Sequence, residues 1–480
     1  MTFEEFIIAH QDDDTARLLL SRKQFPEIDV SLAVKTIESR RKLRKKVPEW
    51  HIVTALTLPS PLSAEQCSSS ATAAYKAALL KRLEGAAGTG AGGASAGAGA
   101  EETTAEMAIG ATETTIEAAE TAAGAAEGAR GRLRVADLTG GLGVDCVAFA
   151  KVAEEVLYND MSPELVAAAK KNFALLGAGN VRFSCRALEK GALESILDGF
   201  RPDVIFLDPA RRDASSRKVF RLEDCSPDVT VLIDELLAAA RYTIVKISPM
   251  ADISIILRTL KNISEIHIVE AAGECKELLL LLDRNHPADL NPSIVVARVD
   301  SPATFNTLQF SQKEISAAVP RLATPADLSA IPSPASPTLP ILSTTQLATL
   351  TTMPAAEKGL RLFEPGKALA KSGAFNLISE RYNLKKLDVN THLFVAEDIP
   401  EELRSFGKTF RILETAELSR QSLKDFGKKY PRAEVTARNI PMTSEALKAR
   451  LGCSSGGNIH IFAVLAASHK LLIATKQRGA

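Results

Sequence analysis

The stretch Val135–Asp145, VADLTGGLGVD, constrains this chain more than any other. Leu133, Val135 and Leu138 make a short apolar strand that runs into Gly140, Gly141 and Gly143, and the following VDCVAFAKVAE has helical apolar spacing. A glycine turn between strand and helix lets the backbone come close to a ligand, because glycine has no Cβ and takes φ > 0, and the new helix turns free N–H groups toward it. Such a turn suits a nucleotide-like molecule. A dinucleotide fingerprint counted from Gly141 and Gly143 needs a further glycine where Cys146 stands, so NAD is disfavoured. A P-loop needs Lys-Ser/Thr after the turn, and the first lysine is Lys151, so ATP hydrolysis is disfavoured too.

At 480 residues and 46% hydrophobic composition, the chain can bury two or three cores. The start, MTFEEFIIAHQDDD, has no basic leader region, and no run approaches the ~18 apolar residues of a membrane span, so a cytoplasmic chain with no membrane partner is expected. Cys67, Cys146, Cys185, Cys225, Cys275 and Cys453 are scattered and do not cluster with histidine, so neither a metal site nor a disulfide framework is expected. The formal net charge of zero conceals an asymmetry: Glu84–Ala129 holds eight glutamates and no other charged residue, which leaves +8 on the remainder. That stretch is nearly all Ala, Gly, Thr and Glu and cannot bury enough apolar surface to offset the entropy of ordering. A second soft segment, rich in Pro, Ala, Ser and Thr, runs from about Ala317 to Ala356 and reads as an extended linker.

Before the first insertion the chain reads as largely helical. SRRKLRKK places six basic side chains between Arg40 and Lys46, either a solvated helix face or a phosphate-contacting patch. Gln66–Ser70 can cap a helix carrying Tyr75 and Lys76.

From Leu133 onward strands and helices alternate, which argues for a doubly wound α/β sheet. Glu155–Asn159 is the second strand, ending at Asp160, and Ser162-Pro163-Glu164 then opens a helix. Asp160 lies 23 residues after Asp137, where an acid binds a ribose diol in such sheets. Val181–Cys185 is the third strand, and Asp203–Leu207 is the fourth, delivering Asp208-Pro209-Ala210-Arg211-Arg212 at its carboxyl end. Helices are expected at Val229–Ala240 and Asp252–Leu260 around a fifth strand, Thr243–Ile247. Ile266–Val269 and Leu278–Leu282 are two more strands, joined by a loop too short for a helix.

An acid, two further residues and then G-G-x-G, from Asp137 to Gly143, resembles motif I of class I S-adenosylmethionine-dependent methyltransferases. EQCSSSATAAYKA, DLTGGLGVD, FLDPARR, VKISPM, CKELLLLL, FEPGKALAKSGAF and TARNIP together resemble the bacterial family of such enzymes that carries a THUMP-like C-terminal domain. The resemblance implies a Rossmann-like seven-stranded sheet with an antiparallel last strand, a small mainly helical N-terminal domain and an α+β THUMP-like C-terminal domain. It implies S-adenosylmethionine as cofactor, held by Asp137, Thr139, Gly140, Gly141, Gly143, Asp160, Met161 and Gln66, with Met161 against the adenine. The acid such enzymes often carry after the third strand is missing, since Cys185-Arg186-Ala187-Leu188 stands there. Amino methyltransferases carry Asp/Asn-Pro-Pro-aromatic after the fourth strand, where the acid and a carbonyl accept hydrogen bonds from an exocyclic amine. Asp208 and Pro209 fit this pattern and Ala210 and Arg211 depart from it, although an arginine plane can stack on a base or hold a phosphate. Methylation at pyrimidine C5 needs a cysteine nucleophile, for which Cys225 is the nearby candidate, so transfer to nitrogen is favoured. Asp208, Pro209, Arg211 and Arg212 are the expected catalytic set.

The domains expected are therefore residues 1–83, helical; 84–130, low-complexity insertion; 131–300, methyltransferase domain; 301–356, linker; and 357–480, THUMP-like. From Glu357 to the end there are 21 Lys plus Arg against 13 Asp plus Glu, an excess that would draw a polyanion. Structured RNA, tRNA or rRNA, is the expected partner. Tyr382, Phe394, Phe406, Phe410 and Phe426 are its candidate stacking residues, most of them better suited to a core. The oligomeric state is open, and a monomer is compatible with the sequence.

Overall fold

The computed structural model describes residues 1–88, 113–115, 131–211, 222–287, 290–329 and 359–477. They form two compact units, Met1–Gln309 and Phe310–Ala480.

The first unit opens with six helices: α1 Phe3–Ala9, α2 Thr15–Leu20, α3 Val30–Lys46, α4 Pro48–Ile52, α5 Pro61–Gln66 and α6 Ser70–Gly88. Polar caps fix where they begin: the Asp29 side chain accepts from Leu32 N, and Ser60 from Ser63 N with Pro61 at the first helical position. Only the first part has a core of its own, around Phe6, Ile7, Leu18, Val30 and Ile37. Leu43, Trp50, Tyr75, Leu79 and Leu83 instead share one apolar cluster with Val135, Val156, Phe206 and Leu279 of the sheet. Residues 1–83 are thus not a separate domain, because α6 needs the sheet to cover its apolar side.

The basic run on α3 is neither of the alternatives its composition suggested. Arg40 is buried and donates to Val53 O at 3.1 Å and to His51 O. Arg41 donates to Gln11 O and Asp13 O, Lys42 pairs with Glu65 at 2.7 Å, and Lys46 donates to Glu65 O and Cys67 O. These cations satisfy carbonyls left open where the connecting loops have no ladder partner. Only Arg44 and Lys45 of the six stand exposed without such a role among the described residues.

The sheet that follows is built from β1 Arg134–Asp137, β2 Glu155–Asn159, β3 Val181–Ser184, β4 Val204–Leu207, β5 Tyr242–Ile247, β6 Ile263–Ala271, β7 Glu274–Asp283, β8 Ser293–Ser301 and β9 Thr304–Ser311. Their spatial order is β3-β2-β1-β4-β5-β7-β6-β8-β9, with a short tenth strand, Glu113–Thr115, beyond β9. β1 to β5 run parallel, and β7 is antiparallel to both β5 and β6, with Leu278 opposite Ile247. Leu278–Leu282 are all buried, as an inner strand covered on both faces requires. The expected seven strands are present in order but the sheet continues: β8 lies parallel to β6, and β9 takes residues 304–311 out of the supposed linker. The continuous apolar run of β8, with Ile294, Val295, Val296, Ala297 and Val299 buried, is what extends the sheet. Helices α7 Val144–Ala150 and α8 Pro163–Leu175 follow β1 and β2.

The second unit contains a seven-stranded sheet of β10 Arg361–Pro365, β11 Lys385–Asp388, β12 Thr391–Ala396, β13 Gly407–Glu417, β14 Glu434–Arg438, β15 Ile459–Ala466 and β16 His469–Gln477. The order is β11-β12-β10-β13-β16-β15-β14, with helices packed on it, an α+β arrangement. Phe394, Phe406, Phe410 and Phe426 are all buried, so they serve its cores and not a stacking surface. Most of 84–130 and of 330–358 lies outside the described residues. Among the described residues no helix is long and apolar enough to cross a membrane, and no group of His, Cys, Asp or Glu could hold a metal ion.

Candidate functional site

The carboxyl ends of β1, β2, β4 and β5 lie side by side, and the residues singled out in the sequence fall there. Three glycines make the turn after β1, each for its own reason. Gly141 and Gly143 take φ of 55° and 92°, where a side chain would be strained. Gly140 has ordinary φ, but a Cβ on it would stand 2.1 Å from Cε2 of Tyr158, a ring packed edge-on against Phe173. The N–H groups of the three glycines are engaged within the protein, and the helix that follows makes its first internal bond from Val147 N to Gly143 O. Gly140 N donates to Asn159 O at 2.8 Å, Gly143 N to Gly140 O at 2.9 Å, and Gly141 N to Asp160 Oδ2 at 2.9 Å. The glycines therefore work by close approach and shape.

Asp160 is held by two backbone donors, Gly141 N on Oδ2 and Ser162 N at 2.8 Å on Oδ1, so its carboxylate is preset at the end of β2. Met161 beside it is 70% exposed. Asp137 is buried at the end of β1, and its Oδ1 accepts from Thr139 N at 3.2 Å. Burial, reinforced by the nearby Asp145 carboxylate, pushes the Asp137 carboxyl well above the usual carboxylate range. The Thr139 hydroxyl reaches across to the fourth strand: Asp208 N donates to its Oγ1 at 2.6 Å, tying the glycine turn to the Asp208-Pro209 segment. After β3, the missing acid's place is organised by Asn159, whose side chain donates to Arg186 O at 3.0 Å and accepts from Arg186 N at 3.1 Å.

Several charged residues of the site lie within the VKISPM, EQCSSSATAAYKA and CKELLLLL stretches but were given no role by the sequence. Lys246, on β5, pairs with Asp208 Oδ2 at 2.5 Å. Burial alone would lower the Lys246 ammonium's proton affinity, but Asp208, then Glu277 and Asp145, more than reverse this and raise it. Lys76, on α6, is fully buried and pairs with Glu277 at 2.8 Å and Asp145 at 3.1 Å, while donating to Ser68 Oγ at 3.0 Å. Ser68 in turn donates to Asp145 Oδ2 at 2.7 Å. The EQCSSSATAAYKA stretch thus enters the site through Ser68 and Lys76, whereas Gln66 is exposed at the end of α5. Cys67 lies close enough to feel Asp145, Lys246 and Asp208, and burial pushes its thiol up to about 11. The signal that could have found Lys76, Lys246 and Glu277 is a charge inside an apolar run: AAYKAALL, TIVKI and CKELLLLL.

Arg211 forms a two-residue strand with Ala210, opposite Cys225 and Ser226, and Arg212 lies outside the described residues. Cys225, the residue paired with Arg211, is fully buried. Asp160 and Asp208 thus place two carboxylates at the strand ends, that of Asp208 paired with Lys246, beside the buried Asp137.

The strand order, the glycine turn and the acids at the strand ends define a class I methyltransferase fold, here joined to a second α+β unit. Residues 362–403 match a family model described as a ferredoxin-like domain, and 407–476 match one described as THUMP domain-like. A crystal structure from Porphyromonas gingivalis W83, named as a "putative methyltransferase", is 25% identical and superposes with a TM-score of 0.74 over 99% of this chain and 98% of that one. Proteins of Bacillus cereus and Bacillus anthracis named "Uncharacterized RNA methyltransferase" are each 28% identical over 103 residues. The match spans 22% of this chain and 22% of each relative's length. Residues 407–476 are thus THUMP-like, and the whole chain shares the architecture of the Porphyromonas protein.

Proposed function

We propose that the chain is an S-adenosylmethionine-dependent methyltransferase acting on a base nitrogen of structured RNA, rRNA or tRNA. The observation that carries this reading is the bond from Asp208 N to Thr139 Oγ1, which sets the acceptor-side carboxylate beside the cofactor turn. The RNA names of the Bacillus relatives and the THUMP-like model support the substrate class.

In this reading Gly140, Gly141 and Gly143 give the close backbone approach, and Thr139 fixes the distance between cofactor and acceptor sides. Asp160 takes the ribose diol, Met161 flanks the adenine, Gln66 closes the rim, and Asp137 receives the α-ammonium. The cofactor supplies an electrophilic methyl group on a positively charged sulfur. Asp208 and the Pro209 carbonyl accept hydrogen bonds from the acceptor N–H groups, aim the nitrogen lone pair, and give its departing proton a carboxylate to go to. Arg211 and Arg212 hold base or phosphate, and the basic C-terminal unit selects the RNA.

The test is calorimetric titration with S-adenosylmethionine, followed by transfer of labelled methyl groups to RNA from a strain lacking the gene. Asp137→Ala should abolish cofactor binding, and Asp208→Ala should abolish transfer while leaving binding intact. Loss of cofactor binding in a folded Asp208→Ala protein would remove its acceptor role. No binding by the wild-type chain would favour an RNA-binding protein with an inactive methyltransferase domain.

A further inference from the structure

We infer that Lys246 is the positioning residue of the acceptor site: its ammonium fixes the Asp208 carboxylate in the orientation that receives the acceptor nitrogen. The inference rests on the methyl-transfer reading above and extends it to a residue to which that reading gives no part.

Strand register brings the pair together. Val245 of β5 lies opposite Leu207 of β4, so the next residue on each strand, Lys246 and Asp208, emerges at the same level of the sheet end. Lys246 is held from the opposite side as well, because Leu279 of β7 pairs with it in the antiparallel register. Its side chain is only 12% exposed while that of Asp208 is 36% exposed, so the lysine reaches outward from the interior to a carboxylate at the mouth.

Among the described residues, the surrounding charges leave it no other close partner. Glu277 and Asp145 are the other carboxylates in its field, and Lys76 already engages both, at 2.8 and 3.1 Å. Lys246 therefore has Asp208 as its direct counterion, through Oδ2 at 2.5 Å. A carboxylate can accept about four hydrogen bonds over its two oxygens, so Oδ1 remains for an acceptor N–H while Oδ2 is tethered. The backbone of Asp208 is fixed separately by Thr139 Oγ1. Together, one bond to the main chain and one to the side chain leave the carboxylate little freedom. A misplacement of about 1 Å in such a group can lower the rate of an aligned reaction on the order of 100-fold.

An ion pair that serves only the fold makes a different prediction, and a double-mutant cycle on the full chain separates the two. Lys246→Met keeps the stem volume. The readouts are melting temperature, S-adenosylmethionine affinity by calorimetry, and kcat and KM for methyl transfer to RNA from a strain lacking the gene. For Lys246→Met we expect cofactor affinity and KM within about threefold of wild type and kcat lowered on the order of 100-fold. Lys246→Arg, which keeps the charge, should recover part of kcat. In an Asp208→Asn background, Lys246→Met should lower kcat by less than about threefold more, since the group it acts through is already gone.

Wild-type kcat in Lys246→Met would overturn the inference, as would an equal loss in both backgrounds or a loss of cofactor binding in step with kcat. If Lys246→Met does not fold, the cycle is run with Lys246→Gln, which removes the charge but keeps a polar end, and the same criteria apply. A wild-type chain that transfers no methyl group to that RNA refutes the parent reading and this role together. An active wild type with an unaffected Lys246→Met refutes the lysine's role alone.

Discussion

Replacing Lys76 by Met removes the one cation that neutralises two buried carboxylates at once. Lys76 is fully buried, and Glu277 and Asp145 are nearly so, at 3% and 8% exposure. Methionine fills much the same volume, so the effect is electrostatic and not a cavity. Removing one partner from a buried ion pair costs about 3–5 kcal/mol, because the charge left behind has neither water nor a counterion. At about 2–4 °C per kcal/mol, the melting temperature should fall by about 6–20 °C. The assay is calorimetric melting of the full chain, following the transition of the first unit. Glu277→Gln introduced into Lys76→Met should return part of the loss, since it deletes one unpaired charge, although Glu277→Gln alone is destabilising. A fall below about 2 °C, or a double variant no more stable than Lys76→Met, would refute the reasoning and show that water reaches these carboxylates.

Gly140→Ala places a methyl group 2.1 Å from the Tyr158 ring. The ring must shift and its hydroxyl give up the 2.6 Å bond to Gly141 O. A stability loss of about 2–4 kcal/mol, measured by urea unfolding, is expected, and an unchanged midpoint would mean the turn is looser than described. Glu265 shows the opposite sign of pH effect from Asp137: burial acts to raise its carboxyl, but His267 and Arg82 hold it at about 2 against an ordinary 4.5. A depressed folded value stabilises above the unfolded pKa and is lost as pH falls from 4.5 toward 2. With Arg82 half exposed and screened, about 1–2 kcal/mol is expected. Wild type and Glu265→Gln should therefore differ in urea midpoint at pH 6 and converge near pH 2, and a constant difference would show that His267 and Arg82 do not hold Glu265.

The sheet's first seven strands and the glycine turn were legible because their signals are local. Glycine marks positive φ at Gly141 and Gly143, Ser162-Pro163-Glu164 marks a helix start, and the short loop before Leu278–Leu282 leaves room only for an antiparallel return. The extra strands were harder to read, since β9 has weak alternation and sits where the composition had begun to resemble a linker. The SRRKLRKK run misled in the same way: a count of charges does not reveal whether carbonyls lie in reach.

By itself the sequence determined a strand, a glycine turn and a helix, an acid at Asp160 after the second strand, and an Asp208-Pro209 pair at a strand end, all marked by patterns a few residues long. Only tertiary structure decided which charges meet. Lys76 and Glu277 lie 201 residues apart in sequence, and Lys246 and Asp208 lie 38 apart. A charge in an apolar run announces that it must be paired, because burial without a counterion costs several kcal/mol, but the partner depends on strand register and on the packing of α6 against the sheet. Those are properties of the assembled fold, where shifting a strand by one residue would turn Lys246 to the other face and away from Asp208.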